Sequence, residues 1–392
     1  MSEKKSLDIL LKLLKKRNLK SSEVKNFLRN NTLDLNALDK NGYNALHYAI
    51  KSELPEIVKI MLSSGNEDDT SIKADPNIET KDKINNIYTS PLLLSLLYTN
   101  DQSISMQIIR HLCKAGAKIN YADEEGSTLF LLSCEKGRTD IISYLINKII
   151  KDKEDNINNI NGDIDVKNLI NSNSKNGSGL HFAIIGQQDE VIELLLENNI
   201  DLNICNSQGD TALLFALKEK QMNTFKTLFD YLLNNKEINN EEKKKIFNHQ
   251  NNEGNTILHE LAFCKSSVLT NIVLKLPEEI KIDTEIKNKE GYNYKEVSDN
   301  IILLEKKKKE EENMIKEQRR KLKEELRQKK YEEEKKIMDE KKKYEEALRR
   351  QEEFGEKLIE HRGKIFLAIL VIFLGLMYLM IKHALTKKDR VI

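Results

Sequence analysis

Three histidines each follow a leucine, as Leu46-His47, Leu180-His181 and Leu258-His259, and four cysteines, Cys113, Cys134, Cys205 and Cys264, are spread among them. Imidazole and thiolate are the side chains that ligate zinc or drive nucleophilic catalysis, so any chemistry would be sought here first. The spacing argues against both. No Cys-x-x-Cys pair and no zinc-ligand spacing occurs, and His111, His249, His361 and His383 supply none. A G-x-x-x-x-G-K-S/T phosphate loop, a G-x-G-x-x-G turn, an H-E-x-x-H helix and a G-x-S-x-G elbow are all missing. No catalytic residue, cofactor site or metal site is therefore expected, and the chain reads as a non-enzyme. The cysteines read as small buried hydrophobes of a reducing compartment. With Lys+Arg 64 against Asp+Glu 63, the chain also lacks the basic excess of a nucleic-acid binder.

The elements that position those histidines recur along the chain. Gly42-Tyr-Asn-Ala-Leu-His47, Ser90-Pro-Leu-Leu93, Gly126-Ser-Thr-Leu129, Ser178-Gly-Leu-His181, Gly209-Asp-Thr-Ala-Leu213 and Gly254-Asn-Thr-Ile-Leu-His259 are versions of one motif. Gly42, Gly126, Gly209, Gly254 and Gly291 stand where a tight turn favours positive φ. Thr128, Ser178, Thr211 and Thr256 follow, with hydroxyls able to cap the next helix. Apolar residues then return at helical spacing, as in Val191, Ile192, Leu195 and Leu196. His181 and Leu214 hold the same place in successive units, and 214 − 181 = 33.

This pattern resembles the ankyrin repeat, a β-turn finger followed by two antiparallel helices, whose period is about 33 residues. The resemblance implies an all-α solenoid in which stacked helix pairs bury one another's apolar faces. It also implies that His47, His181 and His259 serve helix-start hydrogen bonding. Partners would then meet the finger tips and first helices, here exposing Asn41 and Tyr43, Glu124 and Glu125, Ser207 and Asp210, and Asn252 and Glu253.

About seven to eight units fill residues 1–298. The first has helices over Leu7–Lys16 and Ser21–Asn30, and the last keeps only its finger around Gly291. Stretches rich in Asn, Asp, Lys and Ile near 66–86 and 151–175 read as mobile loops inserted between units.

Past Asp299 the composition changes. Residues 299–362 are dominated by charge, with oppositely charged neighbours four apart such as Glu317/Lys321 and Glu345/Arg349, and no Gly or Pro lies between Gly291 and Gly355. Such pairs support a helix at about 0.2–0.5 kcal/mol each. Residues 299–354 would span roughly 84 Å. The thin apolar series Ile315, Leu322, Leu326, Ile337, Tyr344 and Leu348 leaves two readings open, a lone extended helix or a weak two-stranded coiled coil that makes the chain a homodimer.

Residues 363–382 contain a further element. Ile365–Ile381 carries no charge and is bounded by Lys364 and Lys382. Twelve of its residues are Leu, Ile, Val or Phe, worth roughly −4 to −7 kcal/mol on insertion. A single transmembrane helix is expected, short enough that Lys364 and Lys382 would reach back to the headgroups. A basic tail, 383–392, follows. This arrangement resembles tail-anchored proteins, which implies a cytosolic N-terminal bulk. Basic residues on both sides of a short span favour the mitochondrial outer membrane or peroxisome, with the endoplasmic reticulum the other location considered.

The function expected is a membrane-tethered protein-interaction scaffold with an unidentified protein partner. The alternatives are a non-catalytic tether self-associating through the charged helix, or a regulatory subunit of a membrane enzyme or channel.

Overall fold

The computed structural model describes residues 3–16, 19–31, 33–63, 73–82, 87–154, 164–359 and 372–382. The chain divides into two units, Met1–Ile302 and Leu303–Ile392.

The first unit is built from helix pairs. These are α1 (Glu3–Leu14) with α2 (Ser21–Asn30), α3 (Ala45–Lys51) with α4 (Pro55–Leu62), and α5 (Pro91–Leu97) with α6 (Gln102–Lys114). Next come α7 (Leu129–Glu135) with α8 (Thr139–Glu154), and, beyond α9 (Val166–Ile170), α10 (Gly179–Gly186) with α11 (Asp189–Glu197). Then follow α12 (Ala212–Lys218) with α13 (Met222–Asn234), α14 (Asn240–Phe247), and α15 (Ile257–Phe263) with α16 (Ser267–Leu274). The first helices stack in the order α1, α3, α5, α7, α10, α12, α15, and α2, α4 and α6 stack behind them. One continuous apolar core runs through the stack, from Leu10 and Leu14 to Leu258 and Val273. A seven-residue helix is too short to stand in water, so packing against neighbours holds each of them.

The turn from first to second helix repeats at one position. Glu53, Gln187, Lys220 and Lys265 have φ of +55° to +58°, and Gly137 has +69°. Each lies nine residues after its helix cap. A left-handed residue is the usual way to end a helix, and glycine does it at the lowest cost.

Several expectations are corrected. The fold is mostly helical rather than all-helical, because two antiparallel hairpins, β1 (Thr80–Asp82) with β2 (Ile87–Thr89) and β3 (Asn173–Ser174) with β4 (Gly177–Ser178), form finger stems. The opening helix is Glu3–Leu14 rather than Leu7–Lys16, since the last apolar contact it can bury is Leu14. The regions assigned to inserted loops carry regular structure in their described parts. Asp75 and Asn77 in the first form an Asx-stabilised turn that continues into β1, and α8, α9 and β3 occupy the described parts of the second. Residues 64–72, 83–86 and 155–163 of those regions lie outside the described residues.

The second unit is dominated by α17, which begins at Tyr294 in the first unit and runs unbroken to Ile359. Its ion pairs include Glu317–Lys321 at 3.3 Å and Glu346–Arg350 at 4.0 Å, both well exposed. Residues 372–382 are helical, but most of the expected membrane segment's first half, including Lys364, lies outside the described residues, as does the 383–392 tail. Among the described residues no helix is long and apolar enough to cross a membrane.

Candidate protein-interaction face

Five fingers are each shaped by one Asp or Asn side chain. Asp39 Oδ1 accepts from the backbone N–H groups of Asn41 and Tyr43 at 2.8 and 3.0 Å, and Asp123 does the same for Glu125 and Ser127. Asn206, Asn251 and Asn288 repeat it. Three residues later comes glycine at positive φ, +84° at Gly126 and +75° at Gly209. The short polar side chain mimics a turn carbonyl, and glycine lets the chain reverse. At Gly209 a Cβ would also lie 2.6 Å from Asn252 Oδ1 and 2.9 Å from its backbone nitrogen, so the next finger approaches too closely for any side chain.

The finger tips are joined through their backbones. Ser207 N–H donates to Lys175 O at 2.9 Å, Asn252 N–H to Gln208 O at 2.9 Å, and Lys289 N–H to Glu253 O at 2.9 Å. Below the tips a second series of bonds links units. Asn36 Oδ1 accepts from Asp75 N–H, Asn77 Oδ1 from Lys118 N–H, Asn171 Oδ1 from Asp201 N–H and Asn248 Oδ1 from Asp283 N–H, at 2.7 to 2.8 Å.

The three leucine-following histidines sit at the helix starts. His47 Nδ1 accepts from Asn44 N–H at 3.1 Å, His181 Nδ1 from Ser178 N–H at 3.1 Å and His259 Nδ1 from Thr256 N–H at 3.2 Å. Each Nε2–H donates to a carbonyl of the following unit, Ile78, Asp210 or Tyr292, at 2.9 to 3.0 Å. An imidazole that accepts at one nitrogen and donates at the other must be neutral. Burial accordingly lowers all three, His47 to about 4. Elsewhere, Thr128 and Thr211 hydroxyls accept from Leu131 and Leu214 N–H.

The remaining reactive groups are occupied. Burial pushes the Cys113 thiol up to about 12 and raises Cys134 and Cys205. Cys205 Sγ lies 3.5 Å from His249 Nε2, a pairing that the linear spacing does not reveal. That nitrogen is 2.8 Å from Gly209 O, however, a bond that requires it to carry the proton, so it cannot act as a base towards the thiol. Among the described residues no cluster of three His, Cys, Asp or Glu could hold a metal ion.

The structure divides the expected tip residues. Asn41, Glu124, Glu125, Ser207, Asn252 and Glu253 are exposed. Tyr43 and Asp210 are buried, correcting their place on a binding surface. In these two fingers the residue after the glycine turns inward: Tyr43 stacks obliquely on Tyr48 with its hydroxyl near Lys51, and Asp210 binds Lys218 Nζ at 2.8 Å and Asn251 Nδ2 at 2.7 Å.

A surface row not anticipated from the motif lies on the first helices. Seven residues after each cap stand Lys51, Leu97, Glu135, Ile185, Lys218 and Phe263. Lys218 reaches the finger residues Gln208 and Asp210, so this position faces the fingers. Lys51 is held over the rings of Tyr43 and Tyr98 at 4.5 and 4.4 Å. Leu97, Ile185 and Phe263 instead remain 40%, 45% and 45% exposed. Gly186 brings α10 against α7, since a Cβ there would collide with Glu135 O. Helical phase from the caps was the signal available in the sequence.

Comparison with known proteins agrees with this architecture. The family described as "Ankyrin repeats (3 copies)" matches residues 157–242 and 180–288, and "Ankyrin repeat" matches 41–81. An ankyrin repeat protein of Acanthamoeba polyphaga mimivirus is 29% identical over 280 residues, covering 69% of this chain and 31% of its own length. A nuclear factor NF-kappa-B subunit of Gallus gallus is 25% identical over 186 residues, covering 47% of this chain and 16% of its own. The aligned region thus spans less than a third of each relative. These matches support the ankyrin-repeat family, an architecture of protein–protein interaction that typically carries no catalysis.

Proposed function

We propose that the chain is a membrane-tethered scaffold whose repeats hold a protein partner against the row of Leu97, Ile185 and Phe263 and the finger tips beside it. The observation that carries the binding reading is that row. Single exposed apolar residues are ordinary, but these three share one structural position on stacked helices, and the intervening Glu135 and Lys218 add charge of both signs. The partner best suited is an extended or helical segment with apolar side chains spaced to match, flanked by polar groups.

The tethering reading rests on the sequence of residues 365–381, uncharged and flanked by Lys364 and Lys382. In it, the array faces the cytosol and the charged helix holds it away from the membrane, with the mitochondrial outer membrane or peroxisome favoured by the basic flanks.

Proximity labelling in cells tests both parts. A labelling enzyme fused at the N-terminus should mark a set of proteins that the variant Ile185→Asp/Phe263→Asp no longer marks. Equal marking by the two forms would remove the row from the binding surface. Truncation before Lys364 should release the chain from membranes, and membrane retention after truncation would reject the tether.

A further inference from the structure

The long helix carries a period that its charge conceals. Leu304, Ile315, Leu326, Ile337, Leu348 and Ile359 are spaced by 11 residues throughout. Residues 304–359 contain eight Leu or Ile in all, and these six hold a single phase. Leu322 and Tyr344 stand seven residues after Ile315 and Ile337, adjoining the same stripe. Eleven residues advance an ideal helix only about 20° beyond three full turns, so the series forms a narrow apolar stripe along one face. Within this helix the stripe is unpartnered. Leu304, Ile315, Leu326 and Ile337 are 64%, 49%, 55% and 61% exposed.

A lone charged helix has no need of such a period. A helix in a supercoil does, because the stripe then faces its partner without drifting, and a repeat of 11 gives right-handed winding. We infer that the occupant of the stripe is a second copy of this chain, in a parallel, in-register, right-handed two-stranded coiled coil. Identical layers about 16.5 Å apart match only a partner with the same repeat, and a second copy supplies it.

Charge favours the parallel arrangement by one pair. On one side of the stripe, four residues past successive layers, lie Lys308, Arg319, Lys330 and Lys341. Seven past the first and third layers lie Glu311 and Glu333. Parallel copies in register set Lys308 level with Glu311 of the other copy to within one helical turn, and Lys330 with Glu333. Antiparallel copies pairing the same layers would keep Lys330 level with Glu333 but set Glu311 level with Glu352, so only the parallel form gives both acids a basic partner. This inference does not rest on the reading of the repeats as a binding face.

Cysteine cross-linking in the full chain, held in a mild detergent, tests it. The half-exposed Cys205 and Cys264 are replaced by serine, and single cysteines are placed at Ile337→Cys on the stripe, Asp339→Cys on the opposite face, and Lys336→Cys, which a seven-residue repeat continued from Leu322 would make a core position. Oxidation should cross-link the Ile337→Cys chain at least about ten-fold faster than the other two, because dimerisation makes the step effectively intramolecular. Sedimentation should give a dimer, and Leu326→Lys/Ile337→Lys a monomer with unchanged helical content. Equal rates at the three positions, fastest cross-linking at Lys336→Cys, or a monomeric parent chain would overturn the proposal. So would efficient cross-linking between mixed Ile315→Cys and Leu348→Cys chains, which marks antiparallel pairing.

Discussion

His181 Nε2 lies 2.9 Å from the carbonyl oxygen of Asp210, a bond spanning 29 residues that fastens the helix start of one repeat to the finger of the next. His47 and His259 make the equivalent bond, and the Nδ1 side of all three is occupied by a backbone donor.

These histidines should make the repeats sensitive to acid. Burial holds His47 at about 4 against 6.5 unfolded, so between those values the unfolded chain binds the extra proton and stability falls as pH drops. The loss attributable to His47 should approach about 3 kcal/mol near pH 4. His47→Gln keeps a side chain able to reach back to the cap amide but does not titrate. Lowering the pH from 7 to 4.5 should therefore destabilise the parent more than the variant in urea unfolding. Parallel loss in both would show that His47 does not titrate on unfolding.

Glu260 should act in the opposite sense. Burial raises its carboxyl from 4.5 to about 7, against the pull of Lys218, and Asn255 Nδ2 donates to it at 3.2 Å. The folded state holds the proton more tightly, so stability is full below 4.5 and is lost as pH rises through 7. Glu260→Gln should raise unfolding stability at pH 8 by on the order of 1–3 kcal/mol and leave it little changed at pH 5. A pH-independent difference would refute this assignment.

The finger glycines should differ in sensitivity. Gly209 and Gly291 share positive φ, +75° and +85°, but a Cβ at Gly209 meets Asn252 while one at Gly291 meets nothing within 4 Å. Alanine at Gly291 should cost about 1–2 kcal/mol from the backbone alone. Alanine at Gly209 should cost at least about 1 kcal/mol more, for the steric overlap. Denaturation midpoints compare the two, and equal losses would show that the next finger yields freely.

The left-handed turns invite the reverse change. Lys220 adopts φ +58° after α12, where glycine is the least strained residue. Lys220→Gly should stabilise by about 0.5–1 kcal/mol net of the entropy it adds to the unfolded chain. A loss of stability would mean that the lysine side chain contributes more than the turn costs.

What could be read from the sequence follows the range of the interactions. The Gly42, Gly126, Gly209 and Gly254 turns and the Thr128, Thr211 and His181 caps are local hydrogen-bonding devices, so residue type and spacing disclose them. The short helices α9 and α14 are not, because Leu169 and Ile170, or Ile246 and Phe247, are too few to display a period. They exist because neighbours bury them, as Phe229 does for Phe247 at 5.2 Å between rings. Tyr43 and Asp210 looked like surface residues because their burial depends on residues elsewhere in the fold. Tyr292, the corresponding residue of the last finger, is 40% exposed. The row through Leu97, Ile185 and Phe263 went unread because exposure is a property of the stack.

The ladder of Ser207 to Lys175, Asn252 to Gln208 and Lys289 to Glu253 uses only main-chain groups at its rungs. Identity at the tips is thereby largely separated from cohesion, Asn252 excepted, whose side chain also donates to Ser207 O at 2.9 Å. Exposed positions such as Glu124 and Ser207 can be exchanged for almost any residue able to donate its backbone N–H without loosening the finger, since the turn is set by Asp123 and Asn206 and the joint by the backbone. The surface is therefore open to diversification, and new recognition can be written into the tips by randomising them while the scaffold stays intact.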